Sequence, residues 1–465
     1  MLNPTIAGIS TPLGPGAIGI IRISGPDARA LVGKLFTPAN FDHTKRFCDI
    51  IRERHIYYGF IKDPSSGILI DEAIVFFMGS PRSYTCEDVV EIQSHSGYVV
   101  LEQILQVIIK QGIRLAEPGE FTKRAFLNGR IDLGQAEAII DKINAASTTA
   151  SQLASQQMNG GLRAAIGAII RQLTSLLVRY EALIDFSEYG DIDEDAERAL
   201  YLSLAEILPA LKSLITRQKE TEIIKKGINI TIAGVPNAGK SSLLNKITSR
   251  NTAIVSEYPG TTRDIIKDYI SINGISANIS DTAGIHDTDD PIERLGIERA
   301  QAQIQTADLI LLVVEGTRQL NEYEKSWLVS EDREKVILVI NKVDIANSEQ
   351  VEGILRKSDT VRAVPVSAKS GQGIDILKRV IFDHLMIKDF DYVSDALIPN
   401  MRQGNLLEKV YDILSADAGS PEDGSWMELT AESLRNAIRL LEDVCGIHND
   451  SDIYDDIFSQ FCIGK

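Results

Sequence analysis

The run GVPNAGKS, residues 234–241, constrains the fold more than any other feature of this chain. It fits G-x-x-x-x-G-K-S and lies between an apolar segment, ITIA, and a helical one, SLLN. Such a turn works only where a strand feeds directly into a helix N-terminus, so that backbone N–H groups converge on an anion. It therefore asks for a parallel sheet with helices on both faces. The surrounding sequence supplies one: from about 227 to 385 the runs INITIAG, SANIS, LILLVVEG, KVILVINK and AVPVSA alternate with helical stretches.

Four shorter elements follow in order. GTTRD (260–264) offers Thr262 as a Mg²⁺ ligand that senses a γ-phosphate. DTAG (281–284) follows a strand; Asp281 can hold the metal through its shell and the Gly284 amide can reach the γ-phosphate, with Thr282 and Ala283 between them. NKVD (341–344) ends a strand with Asn341 and Lys342, and Asp344 can accept two hydrogen bonds from the N1–H and exocyclic amine of guanine. Adenine lacks that donor pair, so the set selects GTP over ATP. SAK, which is Ser367, Ala368 and Lys369, supplies a backbone contact near the base. In the loop itself Asn237, Ala238, Gly239 and Lys240 face the phosphates, Ser241 ligates Mg²⁺ through its hydroxyl, and Ser242 follows it. Each motif is common alone; the ordered set implies a GTPase.

Hydrolysis is less direct. Small GTPases orient water with a glutamine just after D-x-x-G, and here that position is Ile285, which cannot hydrogen-bond through its side chain. Glu293, in PIERLGIERA, is the candidate to orient the water; its alternative is an ordinary surface carboxylate. Arg263 and Arg294 either stabilise transition-state charge or form surface salt bridges. Asn237 either holds a monovalent cation against the phosphates, doing the electrostatic work of an arginine finger, or stabilises the turn.

The flanks differ in texture. Residues 1 to about 120 alternate short apolar runs with turns and read as a small α/β domain. After Pro118 no proline occurs until Pro209, and Ile166, Ile169, Ile170, Leu173, Leu176, Leu177, Tyr180, Leu183 and Ile184 recur at helical spacing, a core stripe of a helical bundle. Helical texture returns after 385. The expectation is an α/β multidomain chain: an N-terminal domain over 1–120, a helical domain in two parts over 121–226 and 386–465, and an inserted Ras-like P-loop domain over 227–385. The acidic SEYGDIDEDAE (187–197) reads as a solvated loop rather than a metal site. A net charge of −17 argues against general nucleic-acid binding, so an RNA substrate would need a local basic patch or a basic partner. Four cysteines without a CxxC pair fit a reducing cytoplasm. No stretch is expected to reach the apolar length of a membrane span, and the start reads as neither signal nor transit peptide.

GIIRISG, PGEFTKRAFLNGRIDLGQAEAIIDKI, GVPNAGKSSLLN, GTTRD, DTAG, IERLGIERA and the terminal FCIGK together resemble the MnmE (TrmE) family of tRNA-modification GTPases, over essentially the full length. PGEF…RAFLNG and CIGK are particular to that family. The resemblance implies an N-terminal domain that binds a tetrahydrofolate derivative and makes a homodimer. It implies an FAD-dependent partner, MnmG (GidA), in a heterotetramer or larger complex. Together they would add a carboxymethylaminomethyl-type group at C5 of the wobble uridine of certain tRNAs, the carbon coming from a methylene-tetrahydrofolate. It also implies GTP hydrolysis activated by K⁺ and by G-domain dimerisation. Asn237, Ser256, Tyr258 and Thr261 fall where the family holds K⁺ beside the nucleotide, and Glu293 falls on its water-orienting glutamate. The folate contacts map onto Arg22, Glu91, Arg130 and Lys465. The family often has lysine where Arg130 stands, which keeps the charge and changes the geometry.

Two other classes share parts of this pattern. A ribosome-assembly or translation-associated switch of the Era or EngA type would carry the same G domain; against it, no KH-type GxxG loop in a basic context follows that domain. A folate-dependent methyltransferase with an accessory G domain is the other. The ending IFSQFCIGK is apolar through Ile457, Phe458, Phe461 and Cys462 and is expected to pack. On the family's layout it returns to the folate site, with Lys465 at the ligand. Cys462 is then a nucleophile, a proton relay or a packed thiol.

Overall fold

The computed structural model describes residues 4–14, 16–39, 47–145, 147–187, 200, 202–248, 269–272, 275–281, 304–358, 361–384, 397–417, 426–447 and 451–464, with side chains for all of these except 186, 187, 269–271, 281, 417, 426 and 451–453. The chain divides into two units. Met1–Ile140, Glu257–Asp264 and Leu441–Lys465 form the first; Asp141–Ser256 and Ile265–Leu440 form the second.

The first unit is built on a seven-stranded sheet. Its strands are β1 (Ile6–Ile9), β2 (Ile18–Ser24), β3 (Phe36–Pro38), β4 (Ile56–Lys62), β5 (Leu69–Met78), β6 (Val89–His95) and β7 (Arg114–Leu115), in the order β3-β4-β5-β6-β2-β1-β7. All pairs are antiparallel except β1 with β7. Period-two alternation decides the faces. Ala7, Ile21, Ile23, Val75 and Ile92 point one way and are buried under α1 (Ala28–Leu35), α2 (Phe47–Ile50) and α3 (Tyr98–Lys110), against Leu31, Val32, Phe47, Leu101 and Ile104. Each isoleucine, leucine, valine or phenylalanine among them contributes about 1.5–3 kcal/mol by leaving water. The opposite face carries Arg22 and Glu91 at one register position, where Gly8, Arg22, Glu91 and Phe76 stand side by side across four strands. Next to it come α4 (Glu120–Leu127) and α5 (Leu133–Ile143). The C-terminal helix, Ser451–Ser459, closes on them by setting Tyr454, Ile457, Phe458 and Phe461 against Leu133 and Ala136.

The second unit holds α6 (Thr148–Met158), α7 (Gly161–Ser187) and α8 (Leu208–Lys226), followed by a six-stranded sheet. The strands are β8 (Ile228–Ala233), β9 (Tyr269–Ile272), β10 (Ile275–Asp281), β11 (Leu309–Glu315), β12 (Val336–Asn341) and β13 (Arg362–Pro365), in the order β13-β12-β11-β8-β10-β9. Every pair is parallel except β9 with β10. The apolar run LILLVVE explains itself here: Leu309, Leu311 and Val313 enter one core and Ile310, Leu312 and Val314 the other, because helices cover both faces. Those helices are α9 (Lys240–Thr248), α10 (Glu322–Leu328), α11 (Ser348–Lys357) and α12 (Ile374–His384); α13 (Met401–Asp417) and α14 (Trp426–Val444) resume the helical texture.

One expectation is corrected. Within α7 the segment Gly161–Asp185 is long and apolar enough, by length and composition, to cross a membrane. Isoleucines, leucines, alanines and a valine between Arg163, Arg171 and Arg179 raise its mean hydropathy. Its buried residues Ile166, Ile169, Leu173, Leu176 and Tyr180 recur along one face, which is the pattern of a packing stripe. The acidic residues 188–197 lie outside the described residues.

Candidate functional site

β8 ends at Ala233 and α9 begins at Lys240, so residues 234–239 form a turn from strand to helix. Asn237 (φ 63°) and Gly239 (φ 95°) both have positive φ, which curls successive N–H groups toward one centre as in an anion nest. Gly239 admits no side chain: a Cβ there would collide with Asn341 Nδ2. Lys240 is buried, and its Nζ donates to the carbonyls of Gly234 (2.9 Å) and Val235 (3.2 Å), closing the loop on itself. Ser241 and Ser242 stand exposed at the start of α9, and Asn237 is exposed at the crest of the loop.

Asn341 joins this loop to the end of the sheet. It is 2% exposed; its Nδ2 donates to Ala238 O at 2.8 Å and its Oδ1 accepts from Ala368 N at 3.0 Å. One side chain thus fixes the phosphate loop relative to the SAK segment. Ser367 is buried and its Oγ caps that segment by accepting from Ser370 N at 3.1 Å. Lys342 takes a positive φ of 64° and pairs with Glu315 Oε1 at 2.8 Å, across the β11–β12 register. Asp344 and Lys369 are exposed beyond these strands. β10 delivers Asp281 level with Ile232, beside the loop. This donor set fits a nucleotide phosphate with its Mg²⁺: inward N–H groups, one ammonium and a helix-start hydroxyl. Ser256, Tyr258, Thr261, Thr262, Arg263, Thr282, Ala283, Gly284, Ile285, Glu293 and Arg294 lie outside the described residues, as does the side chain of Asp281.

A second cluster forms in the first unit. Arg22 on β2 and Glu91 on β6 are direct cross-strand partners, and Arg22 gives both Nε and Nη2 to Glu91 Oε1 at 2.8 Å. The Arg22 guanidinium also lies 5.0 Å from the ring centre of Tyr84 and 5.6 Å from that of Phe121. Arg130, just past α4, reaches the same tyrosine: its Nη1 donates to Tyr84 O at 2.9 Å and its Cζ is 4.7 Å from the ring centre. Three candidates far apart in sequence therefore meet around Tyr84. No periodicity or spacing singles out that residue; its one clue is an aromatic in the turn that leads into Glu91's strand.

The chain end arrives beside them. Gly464 O accepts from Ser10 Oγ at 2.9 Å, Ile463 bridges to Pro118, and Gly119 N donates to Cys462 O at 3.4 Å. Gly464 has φ 97°, and a Cβ there would collide with Ile9 O, so only glycine fits. The expectation of a packed tail holds for Ile457, Phe458 and Phe461 and is corrected for Cys462, which is exposed. Beyond Phe461 the contacts are made by backbone, which leaves the thiol in solvent. Lys465 lies outside the described residues.

A family model described as "GTP-binding protein TrmE N-terminus" matches residues 5–130, and one described as "MnmE helical domain" matches residues 133–462. The chain is 41% identical to a tRNA modification GTPase MnmE of Carboxydothermus hydrogenoformans, with 100% of each chain covered. It is 38% identical to that of Acetivibrio thermocellus, with 99% of each covered. A solved structure of Era in complex with MgGDPNP and a piece of 16S ribosomal RNA is similar over 34% of this chain and 56% of that one, at 29% identity and a TM-score of 0.29.

Proposed function

Since this chain belongs to the MnmE family of tRNA modification GTPases, we propose that it serves two centres, a K⁺-activated GTP site and a tetrahydrofolate site that supplies one-carbon chemistry. The chain is a GTPase of tRNA modification that uses GTP with Mg²⁺. On this reading it works in the cytoplasm with FAD-dependent MnmG, in a heterotetramer or larger complex. The product is a carboxymethylaminomethyl-type group at C5 of wobble uridine.

The observation that carries the second centre is the convergence of Arg22 and Arg130 on Tyr84, with Glu91 held by Arg22, beside the docked tail. Glu91, fixed by Arg22, is an acceptor for the N–H edge of a pterin. Arg130 suits a carboxylate of the folate tail. Cys462 is exposed on the tail that Gly464 seats against β1. There its thiol can meet a ligand as nucleophile or proton relay. In the nucleotide site Lys240 neutralises phosphate charge, Ser241 offers a hydroxyl to Mg²⁺, and Asn237 offers a carbonyl to K⁺. Ser256, Tyr258 and Thr261 complete that cation site on the family's pattern, Thr262 adds a Mg²⁺ ligand, and Glu293 orients the water.

A homodimer through the N-terminal sheet is supported by its uncovered apolar face. Ile18, Ile56, Tyr58 and Ile74 are 60%, 74%, 52% and 37% exposed there.

Complementation tests the reading. In a strain lacking the endogenous enzyme, this chain should restore modified wobble uridine, measured by nucleoside mass spectrometry of total tRNA. Cys462→Ser should keep GTP hydrolysis and lose the modification. Normal wobble uridine in the deletion strain, together with accumulated ribosome precursors, would overturn it.

A further inference from the structure

Two guanidinium groups share the ring of Tyr84, and they are unequally satisfied. Arg22 is paired with Glu91 and lies against two rings, those of Tyr84 and Phe121. Arg130 is exposed, and among the described residues its guanidinium makes one hydrogen bond, to Tyr84 O, with no carboxylate in contact. Two like charges over one ring repel, and an anion at the unpaired one relieves the repulsion.

The ring itself is locked in place. On one side Ser83 Oγ donates to Glu87 O at 2.5 Å. On the other, Thr85 Oγ1 meets Ser24 Oγ at 2.7 Å and Thr85 O accepts from Asn128 Nδ2 at 2.7 Å. The Tyr84 hydroxyl meets Thr122 Oγ1 at 2.9 Å. A ring held from β2 and from α4 and its C-terminal cap cannot follow an arginine that wanders, so it dictates where both guanidiniums sit.

We propose that Tyr84 is a positioning residue of the folate site. Its ring keeps Arg22 on Glu91, whose carboxylate takes the N–H edge of the pterin. The same ring holds Arg130 open to take a carboxylate at the other end of the ligand. One rigid side chain thus sets the separation between the two ends that are read. The inference rests on the tetrahydrofolate reading of this unit.

The test is a double-mutant cycle on the full chain, with tetrahydrofolate binding measured at equilibrium. Y84L and R130Q should each weaken binding about tenfold, and Y84L/R130Q about as much as the larger single loss, because both remove one shared contact. Y84F keeps the ring and should stay within about twofold. Additive losses in the double variant, or a Y84F loss as large as that of Y84L, overturn the positioning role while leaving the folate reading intact. A wild-type chain that does not bind tetrahydrofolate overturns the folate reading and the inference with it. GTP hydrolysis and melting curves report folding; if Y84L melts early, Tyr84→Met carries the same cycle.

Discussion

Two asparagines show how one residue type serves opposite ends. Asn341 is buried with both ends of its carboxamide bonded, to Ala238 O and Ala368 N, so it is a structural tie between loops. Asn237 is exposed at φ 63°, where its side chain faces outward. Asparagine tolerates that conformation, so stabilising the turn is one account of it and holding K⁺ is the other. Glycine separates them, because it accepts positive φ without a carboxamide. GTP hydrolysis should run faster in KCl than in NaCl at equal ionic strength. Asn237→Gly and Asn237→Ala should both abolish that difference, while affinity for GDP stays within about threefold, a shift worth less than ~1 kcal/mol. Full K⁺ stimulation in the glycine variant would leave Asn237 as a turn residue. NKVD was readable in the sequence, but the loop contacts of Asn341 were not, since both its partners come from other segments.

At the scale of the element, α4 bears the burden of placing the second site, because it carries Phe121 and Thr122 toward Arg22 and Tyr84. A buried charge network anchors it. Glu120 accepts from Glu117 N at 2.9 Å, from Arg124 Nη2 at 2.8 Å and from Arg114 Nη2. Arg124, 3% exposed, also donates to Glu87 Oε2 at 2.9 Å and Pro4 O at 2.8 Å. Burial pushes the Glu120 carboxyl up, but the Glu117 N–H and the Arg114 and Arg124 guanidiniums outweigh it and hold the group below the ordinary carboxylate range. A carboxyl depressed by folding adds stability above its unfolded pKa and loses it as pH falls through the folded value. Glu120→Gln should therefore cost about 1–3 kcal/mol at neutral pH. The gap should close as pH falls below the ordinary carboxylate range and through the lowered pKa of the folded carboxyl, where the wild-type group protonates too. Urea midpoints of both chains across that range decide it; a gap that does not change with pH would assign the loss to packing. The sequence marked PGEF…RAFLNG as distinctive without disclosing this network, because its partners Pro4 and Glu87 lie far from it along the chain.

At the scale of the whole molecule, the uncovered face of the N-terminal sheet matters most. Ile18, Ile56, Tyr58 and Ile74 share one side of β2, β4 and β5, while the other side is filled by α1 and α3. Apolar surface of that kind marks an interaction site. A homodimer through it should be broken by Ile56→Asp, which would turn sedimentation at micromolar concentration from dimer to monomer while leaving the melting of the isolated chain nearly unchanged. A variant that stays dimeric would move the interface elsewhere. What the sequence determined alone was local: the strand–turn–helix of the phosphate loop, the two-sided burial of LILLVVE, and the helical stripe from Ile166 to Tyr180, all governed by neighbours within a few residues. What only the tertiary structure decided was convergence. Tyr84 between Arg22 and Arg130, Asn341 across two loops, and Gly464 seated against Ile9 all join residues that no local pattern links. Periodicity records which face a side chain turns to the core; it carries no record of which distant segment waits there.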